Sequence, residues 1–170
     1  RFNHRFCETF TVPEAHIVKA SAKIYDLQDP TSKMSGSNPS HTGVIDLTDT
    51  PKQVAKKIRS AVTDSGSEIA FDPAEKPGIS NLLTIFSVVT GRAIDDIVAE
   101  FSGQQYGHLK VALGDIVAEV VDTVGQRTRE LLDDRGELDR ILAAGAAQAR
   151  EVAAHTLELV YDRSGFVKAP

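Results

Sequence analysis

The spacing of apolar positions changes character along the chain. Between Glu8 and Leu27, short runs rich in Thr, Val, Ile and Phe (Thr9-Phe10-Thr11-Val12, then Lys23-Ile24-Tyr25-Asp26-Leu27) are broken by Pro13 and closed by Pro30. Such runs bounded by breakers predict strands. From Asp29 to Gly43 the sequence is dominated by Ser, Pro, Gly, Asp and Asn, with Met34 almost alone as an apolar residue, which predicts a mobile loop.

After Gly43 the period becomes helical. Thr50-Pro51-Lys52-Gln53 supplies an N-cap threonine, a proline at the first helical position and a glutamine at the third, and Val54, Ile58, Ala61 and Val62 then share a face. This predicts a helix over 51–62. The stretch 64–77 is polar and punctuated by Gly66, Pro73 and Pro77, so it connects. Ile79, Leu82, Leu83, Phe86 and Val89 predict a second helix ended by Gly91, and Ile94, Ile97, Val98 and Phe101 a short third one. Two long stripes follow. Leu109, Leu113, Ile116, Val117, Val120, Val121 and Val124 form one; Leu138, Ile141, Leu142, Ala149, Val152, Ala153, Leu159 and Val160 form the other, with Asp133-Asp134-Arg135-Gly136 between them. Helices joined by so short a turn usually pack antiparallel, and both stripes read as core of a bundle.

Composition narrows the class. A chain of 170 residues, 41% hydrophobic and 25% charged, fits one or two soluble domains. No run of about 18 apolar residues marks a membrane span, and the first residues lack the apolar core of a secretory signal, so the expected location is cytoplasmic. The opening on Arg1 followed by Phe2, Phe6 and Phe10 reads as a chain cut from something longer. The single cysteine, Cys7, has no internal partner and is expected to be a buried or half-buried thiol. The five histidines are scattered without metal-site spacing, and no metal is expected. A net charge of −5 argues against a general polyanion binder and against DNA as a partner. Lys52, Lys56, Lys57 and Arg59, with no acid between Pro51 and Val62, nevertheless form a local basic segment for RNA phosphate, or simply a solvated helix face.

The candidate chemistry lies in Lys33-Met34-Ser35-Gly36-Ser37. A lysine on a loop reaches phosphate oxygens as a point charge, while serine hydroxyls and glycine-rich backbone N–H groups donate to the same oxygens. Alone, such a string is more often a linker. Its context is specific, because it is similar to the Lys-Met-Ser-Lys-Ser signature of class I aminoacyl-tRNA synthetases. The flanking strings Arg1-Phe2-Asn3-His4-Arg5-Phe6, Asp29-Pro30-Thr31-Ser32-Lys33-Met34-Ser35, Lys56-Lys57-Ile58-Arg59-Ser60-Ala61-Val62-Thr63-Asp64, Lys76-Pro77-Gly78-Ile79-Ser80-Asn81-Leu82-Leu83-Thr84-Ile85 and Val160-Tyr161-Asp162-Arg163-Ser164-Gly165-Phe166 resemble bacterial tryptophanyl-tRNA synthetases.

The resemblance implies an α/β remnant, residues 1–43, as the end of a Rossmann-like catalytic domain, and a mainly α-helical domain, residues 44–170, that binds the tRNA anticodon. It implies that Lys33, Ser35 and Ser37 are catalytic, meeting the phosphates of ATP. Met34, Gly36 and the backbone of Ile24 complete the nucleotide site, and Mg2+ arrives with the ATP. The implied partners are tRNA(Trp), ATP and, through an N-terminal half, L-tryptophan, in a homodimer. That half carries the family's second ATP signature and the tryptophan pocket, so these 170 residues are expected to be inactive alone. The competing reading is a non-catalytic helical module, from a truncated or auxiliary synthetase, that binds RNA or another partner. Two positions depart from the family: Gly36 replaces the usual second lysine, and Cys7 stands where glycine is usual.

Overall fold

A computed structural model describes residues 1–17 and 23–167. The described chain is mainly helical: α1 (Phe2–Phe6), α2 (Pro51–Arg59), α3 (Pro77–Thr90), α4 (Ile94–Glu100), α5 (Tyr106–Asp133) and α6 (Arg135–Ser164), with a 3-10 turn at His41–Gly43. None of these is long and apolar enough to cross a membrane. The chain divides into two compact units, one of residues 17–130 and one that joins 1–16 to 131–170. This division crosses the one expected at residue 43, because Leu27 is buried in the same cluster as Val54 and Ile58.

Within 17–130, α2 starts as the sequence indicates. Thr50 Oγ1 accepts from the Gln53 N–H at 3.4 Å, and Gln53 Oε1 accepts from the Thr50 N–H at 2.8 Å, so each side chain caps the other residue's backbone. The helix stops at Arg59, three residues short of the expected end. The Val62 N–H donates to Leu27 O at 2.7 Å, and the half-buried Lys110 ammonium donates to Ala61 O at 2.8 Å, both of which draw the chain out of helical register. In α3, Gly78 lies so close to residue 62 that an added Cβ would sit 2.2 Å from Val62 O. Gly91 closes α3 in the left-handed conformation, φ 70°. The core gathers Val54, Ile58, Ile79, Leu82, Leu83, Phe86, Ile97, Leu109 and Leu113, and the rings of Phe86 and Phe101 meet edge to face at 5.9 Å. Gly114 of α5 faces Ala55 of α2, where an added Cβ would stand 3.5 Å from the Ala55 Cα, an ordinary contact.

The expected strands do not form among the described residues. A strand requires that successive backbone groups pair with one neighbouring strand, and here that pairing stops after a single bridge. Asn81, a buried side chain of α3, brackets Tyr25, accepting its N–H at 3.0 Å and donating to its carbonyl at 2.9 Å. Asp26 N–H donates to Ser32 O as part of the bridge, but the next N–H, of Leu27, leaves that neighbour for Gly43 O. What remains is one antiparallel bridge, Tyr25 with Lys33. Likewise, the Thr9 and Phe10 N–H groups are both taken by Asn3 Oδ1, whose Nδ2 returns to Phe10 O at 2.7 Å. Residues 18–22, in the same expected strand-rich stretch, lie outside the described residues.

In the unit of 1–16 and 131–170, Phe2 packs on Phe6 and Phe10 at centroid distances of 4.8 and 5.2 Å. Cys7 ends α1 with φ 149° and ψ 173°, a conformation suited to glycine, and its thiol is exposed rather than buried as expected. The five-residue helix offers no core to receive it. Asp134 caps α6 by accepting from the Glu137 N–H at 3.0 Å, and Gly165 closes it at φ 74°. Arg163 donates to Glu8 O and, at 2.8 Å, to Thr9 Oγ1, fastening the N-terminal segment to this helix. The stripe expected to be core is not buried: α6 contains no buried residue, and Leu142 and Val152 are 60% and 77% exposed. Leu138, Leu159 and Val160 of the stripe are only half-buried.

Candidate functional site

The loop is built from its root upward. Asp29 Oδ1 accepts from the Thr31 N–H and hydroxyl, and Oδ2 from the Ser32 hydroxyl at 2.6 Å. The Ser32 hydroxyl first, and then Thr31, hold the Asp29 carboxyl below its usual pKa. Asp26, buried, ties down the residues on either side. Ser32 N–H closes back on Asp29 O, and Met34 N–H donates to Ile24 O at 3.0 Å, so the sequence-predicted Ile24 and Met34 do meet, through the backbone. Both side chains pack against the core.

Beyond this anchor the loop turns. Asn38 N–H donates to Ser35 O at 3.1 Å, and the Ser35 and Ser37 hydroxyls lie 2.9 Å apart. Two of the predicted phosphate contacts are thus brought together. Lys33 is exposed, and no ion pair to its ammonium occurs among the described residues. Gly36 has no heavy atom within 4 Å of where a Cβ would stand, so the space at its Cα is open.

The basic helix is divided by the fold. At about 100° per residue, Lys52, Lys56 and Arg59 (i, i+4, i+7) share one face, away from buried Val54 and Ile58. All three are exposed. Lys57 points the other way. Its ammonium donates to Asp49 Oδ2 at 2.6 Å and Val44 O at 2.7 Å, with Asp46 at 3.7 Å, and only 17% of the side chain is exposed. The sequence placed four cations on the segment; the structure leaves three in solvent and ties the fourth to Asp49 and Val44. Among the described residues, no group of three or more His, Cys, Asp or Glu side chains gathers as metal ligands.

Residues that the sequence did not single out hold the loop: Asp26, Asp29, Asn38, Asn81 and Gly43. Asp29 followed by Thr31 and Ser32 carries a local signal, since Asp before small hydroxyl residues builds side-chain turns. Asn38, Asn81 and Gly43 act across 12 to 56 positions and carry none.

Residues 1–122 match the family described as tRNA synthetases class I (W and Y). The chain belongs to that family. Over 169 residues it is 52% identical to tryptophan–tRNA ligase 2 of Streptomyces avermitilis, covering 99% of this chain and 50% of that protein. It is also 52% identical to the tryptophan–tRNA ligase of Mycobacterium leprae over 167 residues, 98% of this chain and 49% of the relative. The crystal structure of tryptophanyl-tRNA synthetase from Mycoplasma pneumoniae superposes with a TM-score of 0.83 at 34% identity, over 98% of this chain and 52% of that one. The chain therefore spans about half the length of the relatives it matches.

Proposed function

We propose that this class I synthetase chain is the C-terminal half of a tryptophan–tRNA ligase. The complete enzyme condenses L-tryptophan with ATP to tryptophanyl-adenylate and pyrophosphate and passes the amino acid to tRNA(Trp). The observation that carries this is the 52% identity to tryptophan–tRNA ligases across nearly the whole chain. The loop supports it, with the Ser35 and Ser37 hydroxyls adjacent and Lys33 exposed.

In this reading residues 1–43 close the Rossmann-like catalytic domain and 44–170 form the helical anticodon-binding domain. The phosphates of ATP, with their Mg2+, meet Lys33, Ser35 and Ser37, while Met34, Gly36 and the backbone of Ile24 flank the nucleotide. The work asked of the loop is electrostatic: donors set in place stabilise negative charge as pyrophosphate leaves the α-phosphate, and no side chain here transfers a proton. Lys52, Lys56 and Arg59 face RNA phosphate. The assembly is a cytoplasmic homodimer.

The test joins this chain to the preceding half of the Streptomyces avermitilis relative and measures tryptophan-dependent exchange of pyrophosphate into ATP. The joined protein is expected to be active and the 170-residue chain silent. Lys33→Ala should lower exchange roughly a hundredfold, the scale of two charge-assisted phosphate contacts of about 1.5 kcal/mol each. Gly36→Lys should raise it about tenfold. An undiminished rate in Lys33→Ala would sink the role given to the loop.

A further inference from the structure

Asp26 is buried, 6% exposed, and its carboxylate makes three side-chain hydrogen bonds. Oδ1 accepts from the Gln28 N–H at 2.8 Å and the Asp29 N–H at 3.2 Å, which set the start of the loop. Oδ2 accepts from the Asn38 side-chain amide at 3.0 Å, which holds its end. The carboxylate lies against Gly43, where any Cβ would fall 1.6 Å from Oδ1. Gly43 does not need an unusual φ; it is needed because no other residue leaves this space. Its carbonyl also accepts from the Leu27 N–H at 2.9 Å, which keeps the returning chain in contact with residues 26 and 27.

The arrangement selects a pentapeptide. On one side the Asp26 N–H donates to Ser32 O at 2.9 Å, and on the other Asn38 reaches Asp26 Oδ2. Between these two ties stand Lys33, Met34, Ser35, Gly36 and Ser37, the five residues to which the phosphate chemistry is given. Fixing both ends of a short loop lowers its conformational freedom before any ligand arrives, and groups positioned in advance stabilise a transition state better than groups that must be ordered by it.

We propose that Asp26 and Asn38 form a latch that positions the Lys33–Ser37 loop for phosphate, Asp26 serving as a positioning residue that touches no substrate. The assignment of phosphate to the loop is the reading of the preceding section; the latch itself is a statement about loop order and is testable without nucleotide.

Exchanging donor and acceptor tests it. In Asp26→Asn, Oδ1 still serves Gln28 and Asp29, and the charge-assisted bond is replaced by a neutral one once the Asn38 amide turns over to present its oxygen. In Asn38→Asp two carboxylates face each other. The double variant D26N/N38D restores one donor and one acceptor with the roles reversed. Trypsin cleavage of the 170-residue chain after Lys33, followed by mass spectrometry, reads opening of the loop. Asn38→Asp should be cut there about tenfold faster than the parent chain, and the double variant within about twofold of it. Asn38→Ala, which leaves Asp26 and its contacts to Gln28 and Asp29 in place, should show the same acceleration with a melting temperature within about 2 °C of the parent, so loss of fold does not explain it. Unchanged cleavage in Asn38→Ala, or a double variant no better than Asn38→Asp, would overturn the latch. In the joined enzyme Asn38→Ala should lower pyrophosphate exchange about tenfold; accelerated cleavage with undiminished exchange would overturn its positioning role. Loss of exchange in Lys33→Ala is a separate result, on which the phosphate reading alone depends.

Discussion

Helices α5 and α6 are nearly equal in length, 28 and 30 residues, and both carry long apolar stripes, yet they differ in burial. Leu109, Leu113, Val117, Ala118 and Val121 of α5 are buried, whereas α6 buries nothing. Even within α5 the stripe is covered unevenly, with Val120 and Val124 exposed at 49% and 43%. Apolar periodicity reports which face a helix can bury. Whether it does so depends on a surface to cover it, and for α5 the shared cluster includes Val54 and Ile58 of α2.

The largest expected effect separates the two helices directly. Leu113→Ala, at a fully buried position, should cost about 2 to 5 kcal/mol in urea unfolding, while Val152→Ala on α6 should fall within about 0.5 kcal/mol of the parent. Equal losses would mean that the α6 stripe is covered in solution.

A second contrast lies within α2. Lys57→Ala removes the partner of buried Asp49 and should cost about 1 to 3 kcal/mol, while Lys52→Ala and Lys56→Ala leave stability unchanged. For RNA binding the order reverses. Each of Lys52, Lys56 and Arg59 changed to Ala should reduce the slope of log affinity against log salt by about 1, and Lys57→Ala should leave it as it was. A reduced slope in Lys57→Ala would show that its tie to Asp49 yields to RNA.

Cys7→Gly should stabilise the N-terminal segment by about 1 kcal/mol, since it relieves a non-glycine residue at φ 149°; thermal unfolding reads this, and a loss of stability would refute the strain.

The smallest effect is in pH. Burial pushes the Asp64 carboxyl up, but the Gly66 N–H, the Tyr106 hydroxyl at 2.9 Å and Lys76 outweigh it and hold the group below the usual carboxylate value. The unfolded chain then binds the proton first as acid is added. The stabilising contribution is therefore present above the ordinary value of about 4 and is lost as pH falls through the lower, folded value. Asp64→Asn should flatten the acid limb of stability against pH, and an unaltered limb would remove Asp64 from it.

Much of this was readable in the chain itself. The Thr50–Gln53 cap, Pro77, Gly91 and the 3.6-residue spacing locate α2 through α5 because each acts within a few residues. The family is carried by contiguous strings. The loop was visible as a motif, but its support was not: Asn81 stands 56 residues from Tyr25, and Gly43 is required only by the space Asp26 takes. The strand runs misled for the same reason, since β propensity does not say whether a partner strand will be there.

What the sequence determined by itself is the local material: helix ends, the faces able to bury, the Lys33–Ser37 motif and a segment with four cations. Only tertiary structure decided their use. It buried much of the stripe of α5 and fully buried no residue of α6, turned Lys57 inward onto Asp49 while Lys52, Lys56 and Arg59 stayed in solvent, and drew the two ends of the Lys33–Ser37 loop to one carboxylate. Local signals act through neighbouring dihedrals and hydrogen bonds, whereas burial and pairing depend on which distant surface the folded chain brings into reach.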